Sequence, residues 1–325
     1  MRLLRAHVEN FRCLGDISLE FSNDRNRNVT LIRADNGSGK TTLCTALEWG
    51  LYGDAALAET DYPLVPGDIV LEKAVRISVA CDYEVSSASG EARRYRIVRS
   101  AYESIRDGEW DRSPTRVEVF SLLPAGPVSV EDPESLISTH LPVRQRETRF
   151  LNHTRCAAFT EPDTNTVEAA FQAFGLDAHV LTRVSDRTNA LFLDMVGGYT
   201  SDVGTSRASI TADFRLVMSD PDGSFRLAYV QLGGSARHAL AIAFLFALMD
   251  VSGIQSFRVI DAPLACLDLK PGRAALRQAG QRNTQLVLLM SSGETHGCED
   301  LLDQCVDRRY SLRICDDFCR IRAVL

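Results

Sequence analysis

Apolar and polar positions largely alternate over residues 3–8 and 17–21, and residues 29–32 form an apolar run into Arg33, which together predict three strands near the start of the chain. The period then lengthens. Leu43, Ala46, Leu47 and Leu51 recur at three- and four-residue spacing, predicting a helix that ends near Gly53. Alternation returns over residues 75–83, 94–99 and 117–122, each run bounded by Gly, Ser, Asp or Pro. These runs predict a small antiparallel layer covering the strand at 29–33.

Residues 124–142 are rich in Pro, Ser and Glu and read as a loop. A helical zone follows over 144–196, interrupted near Pro162 and Gly175, with Val180, Leu181, Val184 and Leu191 able to line one helix face. Residues 197–206 break that zone. Two short apolar runs, 214–217 and 225–229, flank Asp220-Pro221-Asp222-Gly223 and predict a hairpin. Residues 235–250 predict a strongly apolar helix, 257–260 a buried strand running into Asp261, and 276–281 helix. Residues 286–290 predict a second buried strand, and 310–314 with 319–324 a closing strand pair. The fold class is therefore α/β, a mixed sheet flanked by helices. No heptad pattern is sustained, so no coiled coil is visible.

Composition narrows the picture. Hydrophobic content of 45% and charged content of 24% suit a globular protein. The longest apolar stretch, 239–249, is about half a membrane span, and the N-terminus lacks a cleavage pattern, so no membrane association is expected. Nine cysteines without paired C-x-x-C spacing suit a reducing cytoplasm, and Cys315 and Cys319 read as structural. A net charge of −7 argues against a bulk polyanion binder. DNA contact therefore requires a local basic surface. Two are candidates, Arg93, Arg94, Arg96 and Arg99, and Arg144, Arg146, Arg149 and Arg155; each reads equally as a solvated face paired with nearby acids.

The chemistry concentrates at Ala34-Asp35-Asn36-Gly37-Ser38-Gly39-Lys40-Thr41-Thr42. A strand, a glycine-rich turn and a helix opening with Lys-Thr form a phosphate cradle, because backbone N–H groups converge at the helix N-terminus. Lys40 reaches the β- and γ-phosphates in such a cradle and the Thr41 hydroxyl holds Mg²⁺. Ala34 replaces the first glycine of the G-x-x-x-x-G-K-[ST] spacing, while Gly37 and Gly39 keep the positions of close phosphate approach. More than 200 residues later, Asp261 ends an apolar strand, where a carboxylate holds the Mg²⁺ shell opposite Thr41.

Together these segments resemble the heads of ABC-type P-loop ATPases of the SMC family. Within that family they resemble the coiled-coil ATPase of double-strand-break repair and DndD of DNA sulfur modification. The resemblance rests on Val8-Glu9-Asn10-Phe11-Arg12, on Asn36 to Leu43 with Leu51-Tyr52-Gly53, on Leu232-Gly233-Gly234-Ser235 running into the apolar helix, and on Ile260-Asp261-Ala262-Pro263-Leu264 with Leu267-Asp268. It implies ATP and Mg²⁺ as ligands, with Thr41 and Asp261 on the metal and Lys40, Asp261 and Asp268 as catalytic candidates. It also implies Arg12, Asn36, Gly37, Ser38, Gly39, Lys40, Thr41 and Thr42 around the nucleotide. Leu232, Gly233, Gly234 and Ser235 would meet the nucleotide of a second copy.

Three departures stand out. Gly233 replaces the serine usual in the signature. Ala262 replaces the glutamate that polarises the attacking water, which predicts slow hydrolysis unless Asp268 or Glu294 substitutes. Ser291-Ser292 replace the switch histidine, with His296 the nearest histidine. The glutamine usually found between the two motif halves has Gln145 as a candidate, whereas the run Phe150-Leu151-Asn152 would put Ala158 there.

The resemblance further implies an N-terminal ATPase lobe at 1–163 and a helical stub at 164–198 where coiled-coil arms would emerge and protrude. A C-terminal lobe follows at 199–325. The head is either naturally armless or lacks its arms by excision. Expected partners are DNA, a second copy assembled by ATP, and a nuclease or DNA-modification enzyme in repair, modification or phage defence. The contrasting expectation is an ATP-gated clamp with little hydrolysis. A transporter subunit fits the split halves poorly.

Overall fold

The computed structural model describes residues 1–57, 63–65, 74–86, 90–106, 109–161, 165–197, 206–315 and 318–324. Its centre is a 13-stranded mixed sheet. From edge to edge the strands are Gly126–Ser129, Arg116–Leu123, Ala92–Arg106, Val75–Ser86, Arg2–Phe11, Leu14–Glu20, Phe318–Ala323, Val306–Cys315, Val29–Arg33, Leu286–Met290, Arg258–Asp261 and Phe150–Leu151. Glu109–Arg112 pairs with Ala92–Arg106 off that path. The first six strands pair antiparallel, and the last four pair parallel. The antiparallel layer expected near the N-terminus is thus continuous with the parallel core.

Alternation along the parallel strands feeds two cores. Leu286, Leu288 and Met290 join Val29 and Leu31 on one face, while Val287 and Leu289 join Ile32 on the other. Such strands are apolar on both sides because helices cover both. The helix Gly234–Ser252 fills the first core and Lys40–Tyr52 the second. Gly50 allows the latter close approach to the sheet, since a Cβ there would lie 2.5 Å from Val79 Cγ1.

Several expectations need correction. The 124–142 stretch is not a loop. It holds the strand Gly126–Ser129 and the helix Pro133–His140, which Asp132 caps by accepting from Ser135 N at 3.0 Å. The helical zone contains the edge strand Phe150–Leu151. The hairpin at 214–229 is part of a three-stranded sheet, Arg207–Ile210, Leu216–Ser219 and Phe225–Leu227. The breaker at 197–206 falls, over 198–205, outside the described residues.

The expected protruding stub is also different. Its main helix, Leu181–Val196, lies against Gly234–Ser252 with Val184, Phe192 and Met195 fully buried. Each such side chain contributes about 2 kcal/mol by leaving water, which sets this face of the helix against the core. The apolar helix Gly234–Ser252 is longer than expected and is the one helix among the described residues long and apolar enough to cross a bilayer. It lies mostly buried in the core.

Candidate nucleotide site

The strand Val29–Arg33 delivers its carboxyl end into the 34–39 turn, and Ala34 N donates to Met290 O at 3.0 Å, tying the turn to the next strand. Gly37 and Gly39 have φ of 80° and 86°. At Gly39 a side chain is excluded twice over, since a Cβ would lie 3.0 Å from Cys319 Sγ and 3.1 Å from Cys13 Sγ. Lys40 is buried, and its Nζ donates to the carbonyls of Ala34 (2.8 Å) and Asp35 (3.1 Å). The ammonium is therefore stretched back over the turn whose amides would cradle phosphate.

Asp261 ends the strand Arg258–Asp261, two strands along the sheet from Val29–Arg33. Both strands finish at the same edge because the register is parallel throughout. As a result Thr41 Oγ1 donates to Asp261 Oδ2 at 2.6 Å. Burial pushes the Asp261 carboxyl up, the Thr41 hydroxyl and Lys40 pull it back, and Glu294 adds a smaller upward push. A largely buried carboxylate beside a hydroxyl and an ammonium is a site that gains from a cation, and its hard oxygen donors suit Mg²⁺. These residues fit the Mg²⁺–triphosphate that the turn implies.

The next residue, Ala262, has φ of 53°, a left-handed conformation uncommon outside glycine. It borders a cavity of about 460 Å³ that Asn36, Lys40, Asp268, Glu294 and His296 also line. The catalytic candidates Asp268 and Glu294 thus face the same space as Lys40. Their situations differ. Asp268 precedes the helix Leu269–Gly280 without capping it through its side chain. Glu294 is committed: Oε1 accepts from Leu264 N at 2.9 Å, and Oε2 from Ser291 N at 2.8 Å. Ser292 Oγ donates to Asp35 Oδ1 at 2.9 Å, joining the segment after Met290 to the phosphate turn.

Other expected site residues lie apart. Leu232 is buried, and Gly233 caps the helix Gly234–Ser252 with Ser235 in its first turn. None of the four lines the Lys40 cavity. A Cβ on Gly233 or Gly234 would meet nothing within 4 Å, so that helix end is open. Arg12, with φ of 51°, lies in the turn beside Cys13, stacks its guanidinium over the Phe11 ring at 5.8 Å and donates its backbone amide to Leu64 O. Thr42 occupies the first turn of the helix Lys40–Tyr52. Gln145 accepts from Arg149 Nη2 at 2.5 Å and does not line the cavity.

Sequence reasoning missed two residues near the site. The register Ile260↔Leu151 sets Asn152 level with Asp261, and Asn152 caps its own helix by accepting from Arg155 N at 2.9 Å. His238 of the signature helix has Nε2 3.0 Å from Pro263 O, with its ring stacked on His153. The capping pattern of Asn152 was readable; the His238 contact joins residues 25 apart and has no local signal.

Most of the candidate DNA-contacting arginines are occupied by the protein itself. Arg96 grips buried Asp82 with two bonds of 2.6 and 2.7 Å, Arg94 pairs with Glu84 and Arg93 with Glu91. Arg99 donates to the carbonyls of Gly50 and Leu51. Arg146 and Arg155 share buried Glu48, and Arg149 is buried against Tyr52 and Gln145. The solvated-face reading holds for Arg93 and Arg94, and Arg96, Arg99, Arg146, Arg149 and Arg155 have structural roles.

A family model described as an AAA domain matches residues 5–131. Among solved structures, the chain resembles the SMC head domain from Thermotoga maritima, with 15% identity, a TM-score of 0.53 and all of both chains covered. It resembles the SMC head bound to the C-winged helix domain of ScpA, with 13% identity and a TM-score of 0.66 over 100% of this chain and 98% of that one. A third likeness is the SMC head domain with an extended coiled coil bound to the C-terminal domain of ScpA, derived from Pyrococcus furiosus. There the identity is 11% and the TM-score 0.59, over 99% and 96% of the two chains. No curated protein matches this sequence. The chain has the fold of an SMC head domain. Within it the helix that follows the glycine-rich turn meets the end of the Asp261 strand through Thr41.

Proposed function

We propose that the chain binds ATP with Mg²⁺ and acts as a DNA-processing head of the SMC and DndD kind. The observation that carries this reading is the Thr41–Asp261 contact beside a buried Lys40, which is the constellation a Mg²⁺–triphosphate needs. When bound, the metal would neutralise phosphate charge. The protein's part is to hold it between the Thr41 hydroxyl and the Asp261 carboxylate, to place Lys40 on the phosphates, and to exclude bulk water. In this reading residues 1–163 and 199–325 are the two lobes, and 164–198 is where arms belong.

Two copies sandwich two nucleotides, Lys40 of one facing the Leu232–Ser235 segment of the other. The open end of the Gly234–Ser252 helix, with bare backbone at Gly233 and Gly234, supports that arrangement. DNA, a nuclease or a modification enzyme is the partner in a cytoplasmic repair, modification or defence system. Sizing the protein by light scattering with and without Mg²⁺–ATP tests the sandwich. Nucleotide-dependent dimers that Lys40→Ala abolishes are expected; a monomer under every condition contradicts it.

A second reading has one observation in its favour. Ala262 offers no group to orient water, and Glu294 is bonded on both oxygens. An ATP-gated clamp that hydrolyses its nucleotide very slowly follows from that. Turnover measured beside nucleotide-dependent closure separates the two.

A further inference from the structure

Glu294 makes a contact that its local role does not require. Its Oε2 completes a capping box with Ser291, accepting from Ser291 N at 2.8 Å and Ser291 Oγ at 3.0 Å. That motif alone explains one oxygen. The other, Oε1, leaves the helix and accepts the amide of Leu264, 30 residues earlier in the chain. Leu264 belongs to the turn that follows Asp261, and Ala262 in that turn sits at φ 53°. A strained turn keeps such a conformation only when its surroundings hold it.

The surroundings are visible on three sides. Ala262 N donates to Leu289 O at 2.9 Å, Pro263 O meets His238 Nε2 at 3.0 Å, and Leu264 N meets Glu294. The segment carrying Glu294 is in turn bonded to the phosphate turn through Ser292 Oγ and Asp35. Glu294 therefore stands between the loop after Asp261 and the loop after Met290, on the cavity that Lys40 enters.

We propose that Glu294 is a positioning residue for the terminal phosphate. By bonding Leu264 N with one oxygen and Ser291 N with the other, it fixes the gap between the two loops that enclose that phosphate. The proposal rests on the nucleotide-site reading above. Rigid spacing of the loops makes the cavity discriminate a nucleoside triphosphate from a diphosphate, although residue 262 contributes no polar side chain to the task.

The test is the affinity of the full chain for Mg²⁺–ATPγS and for Mg²⁺–ADP by titration calorimetry, with melting temperatures recorded for each variant. Glu294→Ala is expected to lower the triphosphate-to-diphosphate affinity ratio about tenfold, with ADP affinity held within about twofold, the size expected for losing bonds to a charged acceptor. Glu294→Gln retains one carbonyl acceptor and should lower the ratio only about threefold. An unchanged ratio in both variants, whatever happens to melting, would reduce Glu294 to a helix cap and overturn the proposal. So would equal weakening of both nucleotides. If Glu294→Ala does not fold, the Glu294→Gln ratio decides alone. Failure of the unaltered protein to bind either nucleotide is a different result, which removes the nucleotide-site reading itself.

Discussion

Thr41 and Asp261 are 220 residues apart in sequence and 2.6 Å apart in space, hydroxyl to carboxylate. One comes from the helix that follows the glycine-rich turn and the other from the end of a strand two positions along the sheet. Parallel pairing of Val29–Arg33, Leu286–Met290 and Arg258–Asp261 makes the meeting unavoidable, because all three strands end on one edge. Ligands of open α/β sheets bind at that edge.

This pair predicts a specific metal dependence. Thr41→Ala removes one oxygen donor and leaves the amides and Lys40 in place. Nucleotide affinity with EDTA should therefore be unchanged within about twofold, while the gain conferred by Mg²⁺ falls about tenfold. Calorimetry with and without the metal reads both numbers. An equal loss under both conditions would assign Thr41 to folding.

Ala262 predicts opposite effects of two substitutions. Glycine adopts φ of 53° without the Cβ penalty, so Ala262→Gly should stabilise the fold by about 1 kcal/mol, less the entropy glycine loses. Ala262→Glu restores a water-orienting carboxylate at the cost of a larger side chain in the same strained conformation. It should raise turnover at saturating ATP while lowering the melting temperature. Turnover that falls with Ala262→Glu would mean that another group, such as Asp268 or His296, already orients the water.

Arg96 separates a structural from a DNA-contacting role. It holds Asp82, whose side chain is 8% exposed, through two short bonds. Arg96→Ala leaves that carboxylate buried without its cation and should cost about 2 kcal/mol of stability. Chemical denaturation measures the loss. Weakened DNA binding at unchanged stability would restore the DNA-facing reading of this strand.

His140 predicts an acid-side loss of stability. Burial first, then the charges of Arg149 and the N-terminus, hold its imidazole below the usual 6.5, and Nδ1 lies 3.1 Å from Tyr83 Oη. In the unfolded chain the ring takes its proton near pH 6.5, whereas in the folded chain it does so lower. Below pH 6.5 the unfolded state therefore binds more protons, and stability falls with pH until the folded group also titrates. His140→Gln should flatten the melting profile between about pH 7 and 5. A profile as steep as that of the unaltered protein would place the acid sensitivity elsewhere.

The glycine-rich turn at 34–39, the helix after it, the Asp261 strand and the C-terminal strand pair were all legible in the sequence, because each is specified by neighbours within a few residues. The helix Pro133–His140 was legible too, through Asp132 and Pro133, but the density of Pro and Ser around it read as loop. What the sequence could not carry were contacts set by the sheet as a whole. The short edge strand Phe150–Leu151 exists only because Arg258–Asp261 lies beside it. The arginines at 93–99 look like a basic surface until the cross-strand register places Asp82 and Glu84 opposite Arg96 and Arg94. The burial of Leu181–Val196 likewise depends on a helix that comes later in the chain.

The most direct test of the account is the binding of Mg²⁺–ATP to the unaltered chain and to Lys40→Ala by titration calorimetry. Lys40 supplies the cation for the phosphates, so its removal should weaken binding at least about a hundredfold while the fold survives. Equal affinity in the two proteins, or no binding by the unaltered one, would contradict the claim that these distant segments build a triphosphate site.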